Sequence, residues 1–154
     1  LAAPPFEPIA LRVLNASGEV TGQVSTAEPF EVEVEYELQN SIKGLRVGIY
    51  LSTGKGDPIL TSFDTDDPDA YSNYDARPAG RYVSRCRVPA NLLNEGRFVL
   101  GVNASSFGVR SYFTDEFALS FIADGTRAPG SQWSETRRGP MRPALEWKIV
   151  EAIK

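Results

Sequence analysis

The stretch Phe30-Glu-Val-Glu-Val-Glu-Tyr-Glu-Leu-Gln39 decides the fold class. Phe30, Val32, Val34, Tyr36 and Leu38 alternate without a break with Glu31, Glu33, Glu35, Glu37 and Gln39. Successive side chains of a strand point to opposite faces, so this period of two puts one row in a core and the other in water. A helix would spread the same five apolar residues around its circumference. The stretch therefore predicts a long strand of an antiparallel sheet with one solvated face.

The rhythm returns on both sides of it. Residues 45–52 turn Leu45, Val47, Ile49 and Leu51 inward and leave Arg46, Gly48, Tyr50 and Ser52 outward. A tight turn at Gly54-Lys-Gly-Asp57 leads to a short strand at 59–63. In 81–88, Tyr82, Ser84, Cys86 and Val88 oppose Arg81, Val83, Arg85 and Arg87. In 97–105, Phe98, Leu100, Val102 and Ala104 alternate with Arg97, Val99, Gly101, Asn103 and Ser105. Phe117, Leu119 and Phe121 mark a strand at 115–123, and residues 8–15 supply an opening strand before a turn at Ala16-Ser-Gly-Glu19. Residues 144–150 close the pattern with Leu145, Trp147 and Ile149 on one face, and Pro89 to Gly96 reads as a helical turn ended by glycine. About eight strands separated by turns predict an all-β chain, a two-sheet antiparallel β-sandwich of immunoglobulin-like or jelly-roll type.

A length of 154 residues suits one domain. Residues 1–8, rich in Pro and without an initiating Met or a signal-like h-region, read as a linker from a preceding domain, and residues 9–154 as the β-sandwich domain. No apolar run approaches the roughly 20 residues of a membrane-spanning helix. The net charge of −4 argues against a nucleic-acid partner, which needs clustered Lys and Arg. Cys86 is the only cysteine, so no intrachain disulfide forms and a cytoplasmic setting is allowed. The chain has no histidine, which removes imidazole-based catalysis and His-ligated metal sites. Its many carboxylates sit on a wet strand face or in a loop, where nothing separates their pKa values, so neither enzymatic activity nor a cofactor is expected.

Four segments together carry a family resemblance. They are Ile9-Ala-Leu-Arg-Val-Leu-Asn-Ala-Ser-Gly18 followed by Glu28-Pro-Phe-Glu-Val-Glu-Val-Glu-Tyr36; Val47-Gly-Ile-Tyr-Leu51 leading through Gly56 to Ile59-Leu-Thr-Ser-Phe-Asp-Thr65; the strand, Pro-x-x-Leu-Leu-x-x-Gly turn and strand of Tyr82 to Val102; and the ending Arg138-Gly-Pro-Met-Arg-Pro-Ala-Leu-Glu-Trp147. The chain resembles the C-terminal domain of the ATP-binding subunit of O-antigen polysaccharide ABC exporters, the Wzt family. At Asp64-Thr65 that family often has Asn-Thr, from which the acidic run Asp64-Thr-Asp-Asp67 departs. The resemblance implies a non-catalytic module that recognises a lipopolysaccharide O-antigen glycan at the cytoplasmic face of the inner membrane. It further implies a homodimer that can exchange its last strand, an ATPase domain in the same full-length chain, and a membrane permease as partner.

A carbohydrate site needs aromatic faces against sugar C–H faces and planar polar groups for paired hydroxyls. If strands 45–52 and 97–105 are neighbours, their outward residues Arg46, Tyr50, Asn103 and Ser105 are the candidates, with Gly48 and Gly101 as the floor of a shallow face. Such glycines equally suit close packing against a loop. The 64–80 loop holds five Asp, and its Tyr71, Asn73, Tyr74 and Asp75 could fold over a ligand or simply move in solvent. Asp64, Asp66, Asp67 and Asp69 offer oxygens to calcium, but the glycine and terminal Glu of an EF-hand loop are missing, so no metal site is expected. Phe107, Tyr112 and Phe113 are binding platforms or loop anchors at a hairpin end, and Arg137, Arg138 and Arg142 suit an acidic partner or a solvated linker. Glu31, Glu33, Glu35 and Glu37 are expected to pair across strands with Arg81, Arg85 and Arg87. A structural or protein-docking sandwich, with Leu145, Trp147 and Ile149 as a dimer surface, is the alternative to sugar binding.

Overall fold

The computed structural model describes residues 4–73, 75–133 and 136–152, without the side chains of residues 71–73. Ten strands follow one another: β1 (Phe6–Leu14), β2 (Gln23–Ser25), β3 (Phe30–Leu38), β4 (Ile42–Lys43), β5 (Leu45–Thr53), β6 (Pro58–Phe63), β7 (Ala76–Arg77), β8 (Gly80–Val88), β9 (Gly96–Ser106) and β10 (Arg110–Asp124). They form a three-stranded sheet in the order β1-β3-β8, a five-stranded sheet in the order β2-β10-β9-β5-β6, and a small β4-β7 pair. The fold is an all-β sandwich. Every pairing is antiparallel except that of β2 with β10.

The alternation of 30–39 becomes β3, the central strand of the smaller sheet. Val32, Val34, Tyr36 and Leu38 are buried, and they meet Leu45, Val47, Ile49 and Leu51 of β5 and Phe98, Leu100, Val102 and Ala104 of β9 in one core. Two aromatic groups close its ends. Phe6 stacks on Tyr36 at 5.1 Å, with Tyr82 on the other side of Tyr36 at 5.7 Å. Phe121 lies 5.5 Å from Phe30 and 5.6 Å from Phe98.

On the outer face of the smaller sheet the glutamates form the expected cross-strand ladder with Arg81 and Arg85 of β8, whereas Arg87, opposite Glu31, forms no ion pair among the described residues. Arg85 donates to Glu33 at 2.7 Å and lies 3.6 Å from Glu31, while Arg81 lies within 4.0 Å of Glu35 and Glu37. Arg12 of β1 adds a third rail, donating to Glu35 at 2.7 Å and to Glu33 at 3.3 Å. Burial pushes the Glu33 carboxyl up, but the bonds from Arg85 and Arg12 outweigh it and hold the group below the usual carboxylate range.

Several elements differ from expectation. β1 starts at Phe6, whose ring belongs to the core, two residues before the strand expected at 8–15. Residues 89–96 are not a helical turn. They form an irregular turn with Asn91 at φ 59°, because Asn91 donates its N–H to the Thr26 carbonyl and Leu93 bridges to Met141. The 64–80 loop contains a 3-10 turn at Asp64–Asp66, a short helix α1 (Pro68–Asn73) and β7. Residues 144–150 form no strand. The backbone bonds that run from Pro140 end with the Ala144 N–H, which donates to the Asn91 carbonyl at 3.2 Å, and Leu145, Trp147 and Ile149 are 67%, 88% and 99% exposed.

Candidate functional site

β5 and β9 pair side by side, with Arg46 opposite Ser105, Gly48 opposite Asn103 and Tyr50 opposite Gly101. The inward residues of both strands are held by the core, so the intervening ones are forced outward onto one face. There they join into a single polar row. Arg46 donates through Nε to Ser105 Oγ at 3.2 Å, and Ser105 donates to Asn103 Oδ1 at 3.2 Å. The Asn103 amide donates to the Tyr50 hydroxyl at 2.9 Å and to Thr114 Oγ1 at 3.2 Å. Four of the expected site residues, Arg46, Tyr50, Asn103 and Ser105, are therefore brought together. Tyr74 and the side chains of Tyr71 and Asn73 lie outside the described residues.

Arg46 is fixed by aromatic rings that composition alone does not single out. Its guanidinium sits 4.0 Å from the ring centre of Phe63 and 4.9 Å from that of Phe107, a double cation–π clamp. No carboxylate among the described residues forms an ion pair with it. Its terminal nitrogens thus remain donors held at a defined place. Phe107 is 79% exposed, whereas Tyr112 and Phe113 pack on the core, with Phe113 6.4 Å from Phe6.

The two glycines are not an open floor. A Cβ on Gly48 would fall 2.4 Å from Phe63 Cδ1 and 2.5 Å from the Ser62 carbonyl oxygen, so the missing side chain is replaced by the Phe63 ring. At Gly101 a Cβ would fall 2.5 Å from the carbonyl oxygens of Asp115 and Glu116. β10 takes four steps from Asp115 to Leu119 while β9 takes two from Val102 to Leu100, and the resulting bulge arches over Gly101. Phe117 at its crest is 61% exposed and reaches toward Gly56 of the β5–β6 turn, where a Cβ would lie 3.7 Å from its ring. The polar row is thus bounded by Phe63 and Phe107 at one end and by the β10 bulge at the other.

A second feature opens between the free edges of β8 and β6, a cleft of about 640 Å³ that reaches the core. Val32, Val34, Ile49 and Cys86 line its apolar side, and Phe63, Asp64 and Ser84 its end. Asp64 does not face solvent as a calcium ligand would. Its Oδ2 accepts from Arg77 at 2.9 Å and from Ser84 at 2.8 Å, and its Oδ1 accepts from the Val47 N–H at 3.1 Å. Asp66 accepts from the Phe63 N–H and Asp67 from the Asp69 N–H, and among the described residues no three acidic groups converge as a metal site. Arg77 is buried and also donates to the Tyr36 hydroxyl at 2.6 Å and the Leu45 carbonyl at 3.2 Å. Burial, the largest single influence, would lower the Arg77 pKa, but the hydrogen bonds and charge interactions with Asp64 and Tyr36 together outweigh it and raise it; burial pushes the Tyr36 phenol up. The sequence offers one signal for this pair, since Arg77 is the sole basic residue among the five Asp of 64–80.

No family model matches the sequence, and no curated protein is significantly similar to it. Among solved structures, the C-terminal domain of Wzt superposes with a TM-score of 0.73 over 97% of this chain and 87% of that one, at 10% identity. A family 76 glycoside hydrolase from a bovine Bacteroides thetaiotaomicron strain matches 76% of this chain and 20% of its own, with 15% identity and a TM-score of 0.39. The first likeness is one of fold. The second is too low to bear on either fold or activity.

Proposed function

We propose that the chain is a non-catalytic carbohydrate-binding domain that recognises an O-antigen-type polysaccharide for export by an ABC transporter. The observation that carries this is the row Arg46–Ser105–Asn103–Tyr50 on the outer face of the five-stranded sheet, pre-arranged by its own hydrogen bonds beside the exposed ring of Phe107. Arg46 presents a planar pair of donors to vicinal hydroxyls, Asn103 and Tyr50 supply further polar edges, and Phe107 offers a face for sugar C–H groups. A shallow face gains little buried area per sugar, so affinity is modest and is raised by displaying two sites on a dimer. The fold shared with the Wzt C-terminal domain supports this reading, and with it an ATPase domain elsewhere in the full-length chain, a permease partner and a position at the cytoplasmic face of the membrane.

The test is a glycan array of bacterial O-polysaccharides followed by calorimetry at high domain concentration. Selective binding to one polymer, lost in Arg46→Ala and Tyr50→Ala variants that keep their circular dichroism, supports the reading. Silence across a panel that includes the source organism's own glycan overturns it.

One observation favours a second reading, a docking domain without sugar binding. Leu145, Trp147 and Ile149 stand exposed at alternate positions of a segment without regular structure, a sequence suited to adding a strand to another copy of the sandwich. Sedimentation that rises with concentration, together with no glycan response, selects this reading.

A further inference from the structure

We propose that the cleft between the edges of β8 and β6 holds one 6-deoxy sugar ring, a neutral ring carrying a methyl where a hexose carries a hydroxymethyl. The inference rests on the carbohydrate-binding reading and adds to it a second subsite, distinct from the Arg46 face. At about 640 Å³ the cleft lies within the usual size range of small-molecule sites, and it combines apolar walls with a few fixed polar groups.

The direction of the hydrogen bonds at its end selects the ligand. Arg77 donates to the Tyr36 hydroxyl and to Asp64, and Ser84 gives its single proton to Asp64 Oδ2. Tyr36 must then donate to Ser84, which lies 2.9 Å away. The hydroxyl protons are all spent within the network, and what Asp64 and Ser84 still offer to the cleft is acceptor lone pairs. A ligand here must bring O–H donors, as a sugar does. At this end a phosphate or carboxylate would set acceptors against acceptors and its charge beside that of Asp64, although Arg85 and Arg87 supply donors to the same cleft. Ser62, Arg85 and Arg87 also line the cleft, but the patch made by Val34, Ile49 and Cys86 carries no oxygen or nitrogen in its side chains to partner a polar substituent. A hydroxymethyl group pressed against it would lose its water without replacement, whereas a methyl group is at home there.

Cys86 lines the cleft and is the only cysteine, so its modification reports occupancy. The intact chain is treated with N-ethylmaleimide and followed by mass spectrometry in the presence of L-rhamnose against L-mannose and of L-fucose against L-galactose. At least one deoxy sugar is expected to slow labelling, at concentrations about tenfold lower than its hydroxylated counterpart, the discrimination an apolar wall gives. Ala70→Trp, at an exposed position on the rim, should abolish the protection while leaving urea stability and polysaccharide binding at the Arg46 face unchanged. Equal protection by deoxy and parent sugars overturns the ligand class. Labelling indifferent to every sugar, in a domain that still binds polysaccharide through Arg46, overturns the cleft subsite and leaves the carbohydrate-binding reading standing. A domain silent to all glycans fails both.

Discussion

Asp64→Asn isolates the contribution of the buried pair at the end of the cleft. The substitution keeps the shape of the side chain and one acceptor oxygen but removes the charge that balances Arg77. The Arg77 side chain is 5% exposed and that of Asp64 18%, so the variant takes the Asp64 charge from a buried cation that also donates to two neutral groups, the Tyr36 hydroxyl and the Leu45 carbonyl. Removing one member of a buried pair costs about 3–5 kcal/mol, and because the cleft admits some water the lower figure, about 3 kcal/mol, applies. Arg77→Met strands the better-hydrated partner, which keeps the Ser84 and Val47 donors, and should cost less, about 2 kcal/mol. The double variant should fall short of the sum by about 2 kcal/mol, since neither charge is then left alone.

Urea unfolding followed by far-ultraviolet circular dichroism is the suitable assay, because Trp133 and Trp147 are 72% and 88% exposed and report poorly on the core. With a slope of about 2 kcal/mol per molar urea, Asp64→Asn should lower the midpoint by about 1.5 M. A fall of less than about 0.3 M by that same slope, or strict additivity in the double variant, would refute the account of Arg77 as a buried cation that needs Asp64.

Further outcomes follow from other contacts. Gly101→Ala places a Cβ against backbone carbonyls that cannot swing aside, and should cost about 2 kcal/mol, roughly 5 °C in Tm by calorimetry. Gly22→Ala, where no atom lies within 4 Å of the new Cβ, is the control and should stay within about 0.5 kcal/mol. Glu33 has a depressed pKa in the fold, so its stabilisation is complete above the usual carboxylate range and is lost as pH falls through the lower folded value. Thermal unfolding from neutral to acid pH should accordingly show a smaller loss in Glu33→Gln than in the parent. Asn103→Ala removes bonds on a solvated face and should shift urea stability by less than about 1 kcal/mol, yet abolish binding of whichever polysaccharide the parent selects.

The strands that a period of two can reveal were legible because one of their faces is core and the other water. β3 and β8 obey this, β5 and β9 obey it except where Phe63 and the β10 bulge cover their outer face, and the Glu–Arg ladder followed from it once β3 and β8 were set side by side. Two-residue pieces such as β4 and β7 have no period to detect. The segment 144–150 shows the opposite failure. Its alternation of Leu145, Trp147 and Ile149 states which face would be covered but not by what, and among the described residues no strand pairs with it beyond the Ala144 N–H. Hydrophobic alternation specifies a face, whereas a strand also needs a neighbour's hydrogen bonds.

The same distinction governs the site. That Arg46, Tyr50, Asn103 and Ser105 share a face follows from parity alone, and their joining into one row needed only the pairing of β5 with β9. Parity could not say that Phe63 fills the space over Gly48, or that two extra residues of β10 lie over Gly101, because both are encounters between elements whose register is set elsewhere. Asp64 is the sharper case. As one of five aspartates in a polar loop it reads as solvated, yet the lone basic residue of that loop turns it inward, and the pair ties β7 to the Leu45 end of β5 through Arg77. The loop thereby becomes one end of a cleft instead of a tether between strands. A charged loop that carries a single opposite charge is thus a candidate for inward folding, since that one ion can be buried only where a loop carboxylate accompanies it.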